Sequence, residues 1–392
     1  MANKRHILIL GGGFGGIKAA MELEGHSGFE VSLISDSLDF RYNHNLYKAA
    51  TGGNFAAVSI PLKEIFTGKD VRLIIDAAKT LDREDRTVKT GSGKVYSYDA
   101  LIVALGSVTN FFDIKGLKQY SYGIKTVEEA KRLRNHLHKQ LIDDEALDIN
   151  YLVVGGGPTG VELAGALPGY IANILKHHRL PARKVNVRLI EAAPRLLPNM
   201  PAKYSRAVAQ RLRQLGVALK LGEAVQAESV DELTVGGHKI KSHTVIWTAG
   251  VTANPFLKSN LFSCSKRGKA NVDTALANTP NVYVIGDNAE TPYSGMAQTA
   301  LYDAVFVADN LKRLSSGHYP HVYKPKKPIY ITPAGSRWAA VFWKDVQVFG
   351  TIGWLLRSIA DFVSYSDIEP WWKASKRWLA NNDKEEGCPL CS

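Results

Sequence analysis

The chain has little cysteine, no long apolar run and no leader-like start. Three cysteines among 392 residues cannot build the disulfide framework of a small secreted domain, and they agree with a reducing compartment. No stretch approaches the roughly 20 apolar residues that a membrane-spanning helix needs. The opening "MANKRH" runs directly into a strand pattern and a glycine cluster, without the regions of a signal peptide, which predicts a cytoplasmic protein. No RNA- or DNA-binding motif is present, and neither a metal centre nor a Ser-His-Asp nucleophile is expected. The one Cys-x-x-Cys, Cys388 to Cys391, lies in a charged tail and lacks the other two ligands of a closed zinc site.

The rest of the composition is globular. At 45% apolar and 22% charged, the chain has enough material for about two or three domains with real cores. The net charge of +12 is uneven: from Lys176 to Lys220 eleven Lys/Arg accompany a single acid, Glu191. Such a face is either plainly solvated or attracts a polyanion, whether nucleic acid, anionic lipid or a dinucleotide phosphate. Without a matching motif, no nucleic-acid partner is expected.

Two segments repeat one pattern. In "HILILGGGFGGIKAAMEL" a short buried strand meets Gly11, Gly13 and Gly16 in a G-x-G-x-x-G frame, with Phe14 and Gly15 between them and a helical pattern behind. "INYLVVGGGPTGVELAGAL" does the same with Gly155, Gly157 and Gly160, and carries Pro158 and Thr159 in the turn. The first glycine of each frame allows the tight turn, the second lets backbone approach a diphosphate, and the third lets helix pack on strand. The diphosphate then sits against free N–H groups at a helix N-terminus. After the second frame, "KVNVRLIE" ends in Glu191, placed to accept hydrogen bonds from a ribose 2′-hydroxyl and to repel a 2′-phosphate, which favours NAD over NADP. Arg188 and Arg195 nearby could soften that preference. The matching strand of the first copy, "EVSLISDS", has Ser35 at its end and Asp36 one residue later, so the ribose contact falls on either. Two such sites mean two nucleotides, and the economical chemistry is a flavoprotein reduced by NAD(P)H.

Further segments fit. "YDALIVALGSVTNFFDIKGL" brings Ala104, Leu105, Gly106 and Ser107 to a strand end, and "NVYVIGDNAETP" ends a strand in Gly286 and Asp287. Together with "KTVEEAKRLRNHL", "EAAPRLLP", "VIWTAGV" containing Gly250, and "MAQTALYDA", these motifs in this order resemble the type II NADH dehydrogenases, single-chain NADH:quinone oxidoreductases. The resemblance implies an α/β fold of two Rossmann-like domains binding FAD and NADH, and a C-terminal membrane-associating region with amphipathic helices. It implies residues 1–112 with 250–325 for FAD, 113–249 for NADH and 326–392 for the membrane. FAD would fall to Gly11, Gly13, Gly16 and Asp287, and NADH to Gly155, Gly157, Gly160 and Glu191. Glu162 matches a family glutamate near nicotinamide and flavin, although it is equally a first-turn acid favoured by the helix dipole. Ala297 and Gln298 match the pair placed by the quinone. The family's second glutamine is Tyr302 here, and His44 stands where the family usually has proline; His44 reads as a loop or pocket-wall residue.

The implied reaction passes hydride from NADH to FAD and then two electrons to a membrane quinone, without proton pumping. Relatives that need a redox cysteine beside the flavin are disfavoured, since residues 1–263 contain none, and sulfide:quinone reductases need two in mid-chain where only Cys264 stands. A ferredoxin or rubredoxin reductase, and a nucleotide-binding redox sensor or scaffold without turnover, stay open as alternatives. In the C-terminal region, "ITPAGSRWAAVFWKDVQVFGTIG" predicts two or three short strands. A helix follows whose apolar stripe is Ile352, Leu355, Leu356, Ile359 and Val363, with Arg357, Asp361 and Ser364 opposite. "EPWWKASKRWLA" predicts a second helix with Trp371, Ala374 and Trp378 on one face and Lys373, Lys376 and Arg377 on the other. The pair suits the cytoplasmic face of a membrane, where removal of residues 350–392 would release the protein while sparing NADH oxidation. Burial against the protein's own core, or a contact in a homodimer, is the competing use of these tryptophans.

Overall fold

Arg5–Leu10, rich in isoleucine and leucine, forms the centre of a six-stranded sheet and pairs in parallel with Phe29–Ser35 and Ala100–Val103 on its two sides. Val71–Ile75 closes one edge; Val282–Val284 and then antiparallel Ala277–Thr279 close the other. The structure, a computed structural model, describes residues 4–142, 149–181 and 185–381. Cys388 and Cys391 lie outside the described residues.

A second parallel sheet runs in the order Ala218–Leu221, Asn186–Glu191, Asn150–Val154, Thr244–Trp247. Strands buried on both faces explain the near-continuous Val/Ile/Leu runs. Each sheet sends one strand into a glycine turn and a helix, Phe14–Leu23 in the first and Pro158–His177 in the second. The turns are built alike. Gly11 and Gly155 have φ of +112° and +114°, which disfavours any side chain. A Cβ at Gly16 or Gly160 would stand 1.9 or 1.8 Å from the carbonyl oxygen of Gly11 or Gly155, so both helices pack where only glycine fits.

The chain passes between the two sheets twice. The passages, Ser107–Thr109 and Val251–Ala253, pair with each other as an antiparallel ribbon. After the helix Ala297–Ser315, an extended segment leads to three antiparallel strands, Tyr330–Pro333, Ala339–Trp343 and Val346–Gly350. Two helices follow, Thr351–Ser366 and Trp371–Ala380. Among the described residues no helix is long and apolar enough to cross a membrane.

The Thr351–Ser366 helix buries the side that its sequence marks as polar. Arg357, Asp361 and Tyr365 are buried at successive i+4 positions, while Ile352 and Ile359 are 64% and 59% exposed and Leu355 and Val363 also face outward. In the last helix Ala374 is buried, and Trp378 packs inward, donating its indole N–H to the Ser358 carbonyl. Trp371 stands exposed with Trp372, so the expected shared face of Trp371, Ala374 and Trp378 is split. The expected basic face is also divided. Lys373 and Arg377 turn to Glu64, Arg377 at 2.8 Å, leaving Lys376 outside.

Candidate active site

The two glycine turns lie at the carboxyl ends of their strands, where open α/β sheets bind ligands. A Cβ on Gly13 or Gly157 would meet nothing within 4 Å, so in each copy the second glycine borders open space fit for a diphosphate. Phe14 and Pro158 begin their helices, with Gly15, Gly16, Thr159 and Gly160 in the first turns. The floors match too: Gly11 is backed by Ala104, and Gly155 by Ala249, which precedes Gly250. Gly250 itself is covered by the Phe112 ring.

The strand-end residues show the same correspondence. Glu191 is the residue after Ile190, which pairs with Val154; Ser35 follows Ile34, which pairs with Leu10. Glu191 accepts hydrogen bonds from the N–H groups of Gly156 (2.5 Å) and Ala193 (2.7 Å). Ser35 Oγ lies beside Gly12, the counterpart of Gly156. Asp36 faces outward with a 69% exposed side chain and pairs loosely with Arg41 at 3.8 Å. Ser35 therefore occupies the position of Glu191. Arg195 donates to the carbonyls of Met200 and Pro198 and to Ser205 Oγ.

Asp287 follows Gly286 in a short 3₁₀ turn. Ser107 donates to its Oδ2 at 2.7 Å, and Lys125 in turn donates to Ser107 at 3.0 Å. Among the described residues no donor reaches Oδ1, so it could accept from a flavin's ribityl hydroxyl. His44 packs edge-on against Phe14 at 5.5 Å, a pocket-wall position. Its Nδ1 is buried without a hydrogen-bond partner among the described residues. Burial and then the Arg357 charge push its pKa down to about 4, so it is neutral there. The open cradle at Gly13, the half-used Asp287 carboxylate and the orphaned His44 nitrogen all fit FAD.

Glu162 is not a first-turn acid. It lies deeper in its helix, buried, and faces Arg357 at 3.5 Å. Arg357 also donates to Asp361 (3.0 Å) and Asn45 (3.0 Å), and Lys48 stands 3.5 Å from Asp361. Two carboxylates and two cations from three separate parts of the chain thus share one buried site. Burial pushes the Glu162 carboxyl up to about 8, against the pull of Arg357. Burial opposes the Arg357 cation too, but Asp361 and then Glu162 outweigh it and hold the guanidinium charged. Asp361 is held below its ordinary value by Arg357 and Lys48, although burial acts the other way.

Gln298 exchanges two hydrogen bonds with the Ile329 backbone, both at 3.0 Å, and Tyr302 donates to the Lys324 carbonyl at 3.1 Å. Ala297 begins their helix. Their polar groups are thus engaged with the extended segment that follows. Lys48 and Lys125 escaped the sequence reading, and Ser107, Arg357 and Asp361 were named there without a role in the site. The one local signal was an Arg/Asp pair four residues apart in an otherwise apolar helix.

The fold and site define an α/β protein with two dinucleotide-binding domains. The family model for pyridine nucleotide-disulphide oxidoreductases matches residues 5–304, and the chain belongs to that family. A type II NADH:quinone oxidoreductase of Staphylococcus aureus is 28% identical over 339 residues, covering 80% of this chain and 84% of the relative. In fold the chain is similar to NDH2 of Plasmodium falciparum, solved in complex with NADH, with TM-score 0.84 at 16% identity over 97% of both chains. It is also similar to the sulfide:quinone oxidoreductase of Aquifex aeolicus, with TM-score 0.78 at 21% identity over 95% of this chain and 92% of that one.

Proposed function

We propose that the chain is a type II NADH:quinone oxidoreductase that binds FAD and NADH and reduces a membrane quinone without pumping protons. The observation that carries this reading is the meeting of Glu162 with Arg357. It joins the helix of the second glycine turn to a C-terminal helix whose other side is a row of exposed Ile, Leu and Val. An electron donor from water and an acceptor from lipid would approach one centre from these two directions.

Bound FAD would take hydride from NADH and pass two electrons on to the quinone. The chain's own task is to position and to move protons. The glycine turns would hold each diphosphate at a helix N-terminus, Ser35 would face the adenosine ribose of FAD, and Ser107 would orient Asp287. Glu191 would accept from the NADH ribose, while Arg195 is committed to three local acceptors and is not free for a 2′-phosphate. Quinone reduction consumes two protons, and Glu162, buried with its pKa near 8, is protonated at neutral pH and suited to deliver one. With their polar groups spent on the 324–329 backbone, Gln298 and Tyr302 would meet a quinone chiefly through their apolar surfaces.

The exposed stripe, together with Trp371, Trp372 and Trp343 and the cations Lys344 and Lys376, suits a peripheral seat on an anionic membrane surface. We assign it to the cytoplasmic face, with residues 326–392 as the membrane-associating region; the FAD and NADH regions are 1–112 with 250–325, and 113–249. A homodimer formed through the same stripe is the second reading. The test of the function is release and identification of the bound flavin, followed by NADH oxidation with a short-chain quinone. Flavin-loaded protein without such turnover supports a sensor or scaffold instead.

A further inference from the structure

The helix Ala297–Ser315 carries an extended strap of chain along its side. Arg313 donates to the Tyr319 carbonyl, Asn310 exchanges two bonds with His321, Tyr302 donates to Lys324 and Gln298 exchanges two with Ile329. The helix partners descend from 313 to 298 as the strap climbs from 319 to 329, so the two run antiparallel.

One strap contact goes inward. Tyr323 donates its hydroxyl to Asp303 Oδ1 at 2.5 Å, and the Gly286 N–H donates to Asp303 Oδ2 at 3.0 Å. Asp303 is fully buried, and both donors are neutral. A carboxylate in that position is normally matched by a cation. Burial pushes its pKa up to about 6, and the bonds from Tyr323 and Gly286 hold it from going further. Gly286 is at φ +65°, directly before Asp287, so a bond to its N–H fixes the Ile285–Gly286 peptide through which the chain enters the turn that carries Asp287.

We propose that Asp303 is a positioning residue for the flavin: it locks the Gly286–Asp287 turn and, through Tyr323, ties that turn to the strap leading into the C-terminal region. The inference rests on the reading of this site as the FAD site. Loss of the Asp303 acceptor frees the turn, and FAD affinity falls although no atom of the cradle itself has changed. Loss of Tyr323 alone loosens the strap and leaves Gly286 bonded, a smaller effect.

The experiment titrates the apoprotein with FAD and follows quenching of flavin fluorescence, comparing wild type with Asp303→Ala, Asp303→Asn and Tyr323→Phe. Melting of each apoprotein separates folding from binding. Asp303→Ala is expected to raise the FAD dissociation constant roughly tenfold or more, the scale of one lost charge-assisted hydrogen bond. Asp303→Asn, which keeps an acceptor for the Gly286 N–H, should recover most of that loss. Tyr323→Phe should fall between wild type and Asp303→Ala and alter the visible spectrum of bound flavin; it carries the test if Asp303→Ala does not fold. Wild-type affinity in Asp303→Ala, or in its absence an unchanged affinity and spectrum in Tyr323→Phe, overturns the proposal. Equal damage from Asn and Ala does so too. A wild-type protein that takes up no FAD overturns the functional reading and this inference together.

Discussion

Arg357 and Glu162 face each other across 3.5 Å of buried space, one on a helix near the C-terminus and the other on the helix that follows the second glycine turn. Removing one partner of a buried pair strands the other charge and typically costs about 3–5 kcal/mol. Arg357→Ala takes from the ionised Asp361 its 3.0 Å guanidinium partner and leaves it only Lys48 at 3.5 Å, and it empties the space facing Glu162. Urea unfolding should show a loss of that size, with Arg357→Lys intermediate because lysine cannot reproduce the bonds to Glu162, Asp361 and Asn45 together.

Truncation at residue 350 follows the same logic and corrects the expectation that the C-terminal helices can be removed without harm. Asp361, Arg357 and Tyr365 fill the interface with Lys48, Glu162 and Tyr42, and Tyr365 stacks on Tyr42 at 4.4 Å. A chain lacking 350–392 should melt well below wild type and lose NADH oxidation with every acceptor. A truncated protein with an unchanged melting temperature would count against the interface described here.

Stability should respond to pH through Glu162. Its pKa rises from 4.5 unfolded to about 8 folded, so between those values the native state holds a proton that the unfolded state has released. The associated stability is therefore complete below about pH 4.5 and is lost as pH rises toward 8. Glu162→Gln removes this linkage. Denaturant midpoints measured from pH 5 to 8 should fall more steeply in wild type than in the variant; parallel profiles would contradict the assignment.

The outward stripe is open to direct trial. Leu355→Glu with Ile359→Glu, at positions 50% and 59% exposed, should reduce cosedimentation with phosphatidylglycerol vesicles roughly tenfold or more. NADH-to-ferricyanide turnover should be preserved. Unchanged vesicle binding with a shift from dimer to monomer would assign the stripe to a second copy of the chain.

Nucleotide choice rests on Glu191. Glu191→Ala should raise KM for NADH roughly tenfold, as expected for a lost charged hydrogen bond, and narrow the gap to NADPH. Steady-state kinetics with both nucleotides decide it, and an unchanged NADH/NADPH ratio would sink the role.

The glycine turns and their strands were legible because local backbone geometry requires them: only glycine fits at Gly16 and Gly160 whatever the distant chain does. The three C-terminal strands were legible from alternation and turns. The orientation of the Thr351–Ser366 helix was not. Periodicity found its two faces but could not say that Lys48 and Glu162, far away in sequence, would supply the polar partners that receive Arg357 and Asp361 on the inner side. Asp303 was hidden for the same reason, since its partners, a backbone N–H and a tyrosine on a later strap, leave no local pattern. Ser35 and Asp36 are adjacent and both polar, so local sequence does not separate them, whereas strand register aligns Ser35 with Glu191.

The central claim is that one site takes electrons from NADH and gives them to a quinone. Anaerobic titration of the FAD-loaded protein tests it most directly. The account predicts that about one equivalent of NADH bleaches the oxidised flavin band and that a short-chain quinone restores it with matching stoichiometry. Flavin that NADH leaves oxidised, or reduced flavin that the quinone leaves bleached, would contradict it.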